Sequence, residues 1–487
     1  MTQIAEKSIG WSDLLNGEYA SKVAVLVLAV WLHASNSMLT ATTMPSAAAE
    51  IGGISLLHWT FSLYLAASIV AGASIGLLVP RYGMRNLMQR AALLYIAGCV
   101  ICALAPSMPV VLIGRVLQGF GGGGLIALVY IAQKRYFPNH FVPRIIACLS
   151  VTWMFAAFCG PMIGGAFSTW ASWRLAYWAY GAQAVLLMLA IRYLLEADQI
   201  DTTLKHDPIP FVRLALLASA IVFISSAGVD YHFLYSPLLV VVGVSALLLF
   251  VLRDRRAALG RMLPLAASVP SSVLGSGVLA TFSISLCLMS FIVYGPVILM
   301  QLYDLSPFSA GLVVLAETFA WSISAILFAG VSAKNEPRVI RTGSALVLLG
   351  LFAQSLVLPY GPLWLLVAVV TIANLGFGMM WGFIIKRLIA SAPDSDKDRA
   401  ASLPPITLQT GFALGSALSG IIANGFGLGT DISDQTMQLI AIWIFAGFIP
   451  FALMGNIFAW RFVSSANGSI DKQPDENPDV QDESATA

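Results

Sequence analysis

Fourteen apolar runs, most of them long enough to cross a bilayer as a helix, follow one another along the chain, separated by Gly, Pro or charged breaks. Six fall at residues 23–45, 59–79, 91–105, 109–131, 145–167 and 175–195. Two shorter ones follow at 211–229 and 237–252, and six more at 273–303, 310–332, 342–358, 363–385, 403–426 and 437–462. This six, two, six spacing predicts an all-α polytopic membrane protein with 14 transmembrane helices. The expected layout is a cytoplasmic segment 1–22, a six-helix bundle 23–195, a linker 196–261 carrying an extra helix pair, a second six-helix bundle 262–463 and a disordered tail 464–487.

Charge supports this reading. Of 487 residues 58% are hydrophobic and only 10% charged, where a soluble domain has roughly a quarter charged. The first run follows Glu6, Lys7, Asp13, Glu18 and Lys22, outlasts a signal-peptide core and shows no small-residue cleavage site, so it is read as a retained span. Lys and Arg gather in alternate loops. Arg81, Arg85 and Arg90 follow run 2, Lys134, Arg135 and Arg144 follow run 4, and Arg192, Lys205 and Arg213 follow run 6. Arg253, Arg255, Arg256 and Arg261 follow run 8, Lys334, Arg338 and Arg341 run 10, and Lys386, Arg387, Lys397 and Arg399 run 12. Only Arg174 lies in a loop of the opposite side, so both termini are expected to be cytoplasmic. Trp11, Leu14, Leu15 and Tyr19 suggest a small interfacial helix before the first span, while the Asp-, Glu-, Pro- and Ser-rich tail lacks the apolar residues to fold. The glycosylation-like triplet at Asn467 is on the cytoplasmic side and is discounted. All five cysteines fall in apolar runs, and Cys99 and Cys102 read as small apolar residues sharing a helix face rather than a redox or zinc pair.

One charge breaks the pattern. Arg115 stands inside run 4 with Gln118 three residues on, followed by Gly119 and Gly121 to Gly124. A guanidinium in lipid is costly, so it has to face a polar cavity or an internal partner and marks a functional site. The glycines after it let a neighbouring helix come close.

Three motifs carry a family resemblance. Run 2 ends in Gly76, Leu77, Leu78, Val79, Pro80, Arg81, Tyr82, Gly83, Met84, Arg85, which resembles the loop signature Gly-x-x-x-Asp-Arg-x-Gly-Arg-Arg of the major facilitator superfamily. Arg115, Gln118 and Gly119 match that family's Arg-x-x-Gln-Gly. Gly160, Pro161, Met162, Ile163, Gly164 and Gly165 resemble the antiporter signature Gly-Pro-x-x-Gly-Gly. With fourteen runs, the chain is similar to the drug:proton antiporter branch, over nearly its whole length. Trp173 with Arg174, the stretch from Leu305 to Gly311, and Gln409, Gly411 and Gly415 are further echoes.

The resemblance implies the major facilitator fold, two six-helix bundles plus a central pair. It also implies a secondary transporter exporting lipophilic or weakly polar small molecules by alternating access, driven by protons. The motif residues Gly76, Arg81, Gly83, Arg85, Gly160, Pro161, Gly164 and Gly165 would then be conformational. Pro161 bends its helix, while Gly160 and Gly164 offer a smooth face to a helix of the other half; a purely structural Pro kink is the alternative. Arg81 and Arg85 would hold helix ends in one access state, or serve simply as cytoplasmic anchors. Two positions depart from the family. Pro80 replaces the loop carboxylate, and counting back from Pro45, Asn36 stands where the branch carries an Asp that exchanges protons.

The remaining proton-binding candidates within the runs are Glu317 and His33. Counted at about 1.5 Å per residue, Glu317 is roughly 10 Å in from Ala310 and Arg115 roughly 9 Å in from Pro109. They are therefore expected to face one another or share substrate and water, desolvation favouring the neutral acid and the arginine its ionised form. A structural Glu hydrogen-bonded to Thr318 or Ser322, and a structural His33 on the Asn36 and Thr40 face, are the alternatives. Substrate contacts are expected from Asn36, Gln118, Trp153, Tyr294, Gln301, Trp381 and Gln409, with Trp31, Phe155, Phe319 and Asn374 as further lining. No phosphate-binding loop, metal-ligand cluster or catalytic constellation is present in the sequence, so neither an ATP-driven pump nor an enzyme is expected, and no cofactor or metal. The expected partners are a small-molecule substrate, protons and the lipid bilayer, with no nucleic acid and a monomeric chain in a bacterial inner membrane. Other readings left open are export of one metabolite or siderophore-like compound, an uncoupled facilitator, and a transport-dead sensor.

Overall fold

A computed structural model of the chain describes residues 14, 17–138, 141–196, 210–228, 232, 234–257, 261–328, 331–332, 334–393, 397–428 and 433–470. These residues form fourteen α-helices and no strand. In order they are α1 (Gly17–Ile51), α2 (Trp59–Tyr82), α3 (Met84–Ala103), α4 (Met108–Tyr136), α5 (Val142–Trp170) and α6 (Trp173–Leu194). The pair α7 (Phe211–Ser226) and α8 (Tyr235–Arg255) follows. The last six are α9 (Val273–Leu302), α10 (Pro307–Phe328), α11 (Glu336–Val357), α12 (Leu363–Ala390), α13 (Lys397–Gly425) and α14 (Asp434–Ile470). Thirteen are long and apolar enough to cross a membrane. The exception is α7, whose 16 residues span about 24 Å against a hydrocarbon core of about 30 Å.

Several helices outrun the apolar stretches that announce them, because a helix continues past its first polar residues until something stops it. α1 runs 35 residues through Pro45 and ends at Gly52 and Gly53, whose φ of 74° and 85° a side chain would resist. α14 carries its helix to Ile470, so residues 464–470, expected to be disordered, are helical. The remainder of the tail, and most of the expected interfacial segment, lie outside the described residues. Tyr19 belongs to α1 itself and packs on Phe137 and Phe141 with ring centroids 5.7 and 5.1 Å away.

Packing repeats with an offset of eight helices. In the first six, α1 packs on α5, α4 on both α2 and α3, and α3 on α6. In the last six, α9 packs on α13, α12 on both α10 and α11, and α11 on α14. The contacts between the two groups obey the same rule: α5 meets α10, and its counterpart α13 meets α2. Such duplication is the architecture of transporters built from repeats, with a site near the midplane between them. The pair α7 and α8 packs together, and α7 lies against α2 and α13, on the seam between the groups.

The inner end of this pair is pinned by Asp254, 1% exposed. Its carboxylate pairs with Arg213 at 2.6 Å and accepts the backbone N–H groups of Met262 and Leu263 at 2.9 and 2.8 Å. One side chain thereby joins α7, α8 and the segment leading into α9. Removing it takes the carboxylate from a largely buried guanidinium and from two backbone amides. Asp254→Ala is expected to destabilise the detergent-solubilised protein by about 3 kcal/mol, and Asp254→Asn by less. A thermal unfolding midpoint unchanged in the Ala variant would rule out the anchor.

Candidate functional site

Arg115, seven residues into α4, is fully buried. Its Nε donates to the Thr60 carbonyl of α2 at 3.0 Å. One terminal nitrogen donates to Gln118 Oε1 at 2.7 Å and to Asn36 Oδ1 of α1 at 3.4 Å. The guanidinium also lies over the Tyr64 ring, 4.2 Å from its centroid. The α4 glycines make this reach possible, since Gly119 and Gly123 press against Tyr64, Ala67 and Ser68 of α2, leaving no room for a Cβ. Gln118 passes the network on, donating to Cys99 Sγ of α3 at 3.2 Å.

His33 joins from α1. Its Nδ1 lies 2.9 Å from the Tyr64 hydroxyl, and its ring meets Trp153 of α5 edge-on at 5.9 Å. Asn36, His33, Arg115, Gln118 and Trp153 are therefore brought together in the first group, with Tyr64 between them as the residue that sequence reasoning missed. Nearby, Trp31 donates to Gln183 of α6 at 2.9 Å.

The second centre is in the other group. Glu317 of α10 is buried, with Oε1 accepting from Asn374 Nδ2 of α12 at 2.8 Å and Oε2 without a partner among the described residues. No ion pair joins it to Arg115, whose acceptors lie on α1, α2 and α4, so the expected facing pair makes no direct contact. α10 begins at Pro307 and α4 at Met108, so Glu317 is about 15 Å and Arg115 about 10 Å from their helix starts. Towards one end of α12, Trp381 stacks on Phe377 at 5.4 Å, and Phe377 meets Trp321 of α10 edge-on at 4.9 Å. Trp321 and Phe377 carried no sequence signal beyond aromaticity. Tyr294 is buried in α9 with its hydroxyl unpartnered among the described residues, and Gln409 is half-buried on α13. Gln301 is exposed at the end of α9, bonded to Asp434 at 3.2 Å, and does not join either centre.

The motif residues sort by place. Gly76 and Arg81 are in the last turns of α2. Gly83, at φ 75°, is the one residue between α2 and α3, where only glycine is comfortable. Arg85 donates to the Arg192 carbonyl of α6, a contact within its own group. Gly160 and Gly164 press on α1, at Ser35, Met38, Leu39 and Thr42. That corrects the expectation that they face the other half; Gly165 does so, against Pro307 and Phe308, and Pro161 lends its carbonyl face to Gly311.

These contacts belong to one end of the molecule, called outer here because the basic residues gather at the other. There Phe308 N–H donates to Thr169 Oγ1 at 3.0 Å and Trp170 packs on Phe308 at 4.8 Å. On the second seam Ser62 donates to the Ala413 carbonyl at 3.1 Å and Ser416 to that of His58 at 2.7 Å. Both seams are thus closed at the outer end. For the buried arginine, Arg115→Lys is the informative change, since an ammonium cannot reproduce the planar fork. It is expected to lower stability by about 1–3 kcal/mol, read as the thermal midpoint; an equal midpoint would show that the fork is not what satisfies α1 and α2.

Comparison with known proteins agrees with this architecture. The sequence model of the Major Facilitator Superfamily matches residues 26–403. The chain is 28% identical over 446 residues to a probable multidrug-efflux transporter of Mycobacterium tuberculosis, covering 87% of this chain and 92% of that protein. It is 24% identical to the multidrug efflux pump SdrM of Staphylococcus aureus, covering 82% and 89%. Among solved structures, a peptide transporter POT superposes with a TM-score of 0.68 at 15% identity, over 94% of this chain and 97% of that one. A D-xylose-proton symporter superposes with a TM-score of 0.62 at 16% identity, over 93% and 99%. The family match over most of the sequence and the repeat of one six-helix packing pattern lead to one conclusion: the chain belongs to the Major Facilitator Superfamily and is an integral membrane transporter, not an enzyme.

Proposed function

We propose that this transporter exports lipophilic or weakly polar small molecules by alternating access, driven by proton influx, with Glu317 as the proton-carrying group. The observation that carries this reading is the state of Glu317: a buried acid within an apolar helix, held through one oxygen by a neutral amide, with no cation paired to it among the described residues. A carboxyl so placed gains or loses its charge with its surroundings, which is what coupling requires. The relatives' names, multidrug efflux pump and probable multidrug-efflux transporter, support the direction and the broad substrate class. Arg115 and His33 would modulate the first half, and Asn36, Gln118, Trp153, Tyr294, Trp381 and Gln409 would line the substrate path. The alternation of basic residues supports cytoplasmic termini, and the bacterial efflux relatives support a plasma membrane, with residues 23–195 and 262–463 as the moving halves of a monomer.

The test is Glu317→Gln in proteoliposomes with an imposed pH gradient. Uphill transport is expected to fall to background while downhill exchange and folded protein persist. Undiminished uphill transport would remove Glu317 from coupling. A second reading, an uncoupled facilitator, draws on Asn36 standing where the resembled branch carries an acid; it requires that substrate movement bring no protons with it.

A further inference from the structure

The outer seam between α2 and α13 contains a histidine that the transport argument has not used. His58, fully buried, immediately precedes α2. Its Nε2 lies 3.1 Å from the Ser225 carbonyl at the end of α7. A carbonyl only accepts, so Nε2 carries the proton, and in the neutral ring Nδ1 is a bare lone pair. Trp59 Nε1 donates to the same carbonyl at 3.1 Å. From α13, Ser416 donates to the His58 carbonyl, Gly420 presses on the imidazole so closely that a Cβ would overlap it, and Asn424 donates to the Ser55 and Gly228 carbonyls. Three elements meet at this ring: the start of α2, the end of α7, and α13.

The junction is closed but not fully satisfied. His58 Nδ1, Ser225 Oγ and Asn424 Oδ1 are buried without a hydrogen-bond partner among the described residues. Water would satisfy all three on opening, so the closed seam gives up solvation that the open one regains. Among the described residues the groups at this junction are Trp59 and Ser55 beside His58, Ser225 on α7, and Ser416, Gly420 and, through the Ser55 carbonyl, Asn424 on α13, none of them charged. A second proton would sit on Nδ1 facing no counter-charge among the described residues; the Ser55 carbonyl, which accepts Asn424 at 2.7 Å, has a second lone pair to offer it, so what opposes the charge is the complete burial of the ring.

We propose that His58 is a positioning residue for the transport cycle: neutral, it ties α7 to the closed outer seam, and a proton taken up at Nδ1 from the outer side releases α2 from α7 and α13. The closed seam accommodates only the neutral ring. A hydrated imidazole titrates at about 6.5. Protonation therefore favours the open seam, whose share rises as pH falls through that value and is independent of pH well above it.

The measurement needs neither substrate nor gradient, so it stands apart from the export reading. Spin labels at Pro106→Cys and Tyr360→Cys, exposed at the outer ends of the two groups, report the seam by distance distribution in nanodiscs, in a background lacking the native cysteines. Between pH 8 and pH 5.5 the open-to-closed ratio of the otherwise native protein is expected to rise about tenfold. His58→Gln keeps a donor for the Ser225 carbonyl but cannot gain a proton; it is expected to stay closed at both pH values. His58→Phe lacks the donor and is expected to be more open at pH 8, with no pH response. Glu317→Gln is expected to retain the tenfold response. A pH response in His58→Gln equal to the native one, or its disappearance in Glu317→Gln alone, would overturn the proposal.

Discussion

A guanidinium cannot shed its charge, so an arginine inside an apolar helix has to be met by acceptors or the helix does not stay in the membrane. Here no acid meets it. The Thr60 carbonyl, two side-chain amide oxygens and the face of Tyr64 divide the task. The condition reaches outward from there. For a backbone carbonyl of α2 to reach Nε, α2 has to lie almost against α4, and the glycines at 119 and 123 are what allow it. For Asn36 to reach the other side, α1 has to cross at the same level. Gln118 then ties α4 to α3 through Cys99. Four of the first six helices are thereby placed around one charge.

The repeat shows the second half solving a related problem with other residues. Helices two and four of each group hold the buried polar contact: α2 with α4 through Thr60 and Arg115, α10 with α12 through Glu317 and Asn374. In the first half the charge rides on the fourth helix and is fixed in sign. In the second it rides on the second helix, on a group that can become neutral. Each centre leaves one buried atom without a partner among the described residues, a terminal nitrogen of Arg115 and Oε2 of Glu317, but only the acid can answer by taking up a proton. The two halves therefore need no direct pairing of Arg115 with Glu317.

Much of this was legible in the chain itself. Hydropathy located all fourteen helices, and a charge in an apolar run identified Arg115 and Glu317. What escaped has physical causes. A backbone acceptor such as the Thr60 carbonyl has no sequence signature, so a search for partners among side chains turned to the only acid available. A glycine looks the same from every side, so Gly160 and Gly164 could be recognised as a close-approach face without revealing that α1 occupies it. Depth counted from the apolar run at Ala310 differs from depth counted from the helix start at Pro307 by three residues, close to one turn. His58 precedes the second apolar run and so carried no signal, although packing buries it completely.

The central pair bears on how such a molecule can open. At its inner end, Asp254 binds Arg213 and the amides of Met262 and Leu263, which lead directly into α9. At its outer end, α7 touches both α2, through His58 and Trp59, and α13, through Asn424 and the close approach of Gly228 to Ile421. If α2 and α13 part, α7 has to follow one of them. The Asp254 anchor and the short connection to α9 tie it to the second group, and its contact with α13 is backbone packing as well as a side-chain bond. Its polar hold on α2 consists of two ring nitrogens sharing one carbonyl, beside helix packing as extensive as that on α13. What sides α7 with the second group is therefore the Asp254 anchor and the chain connection into α9, not a difference between the two seam contacts.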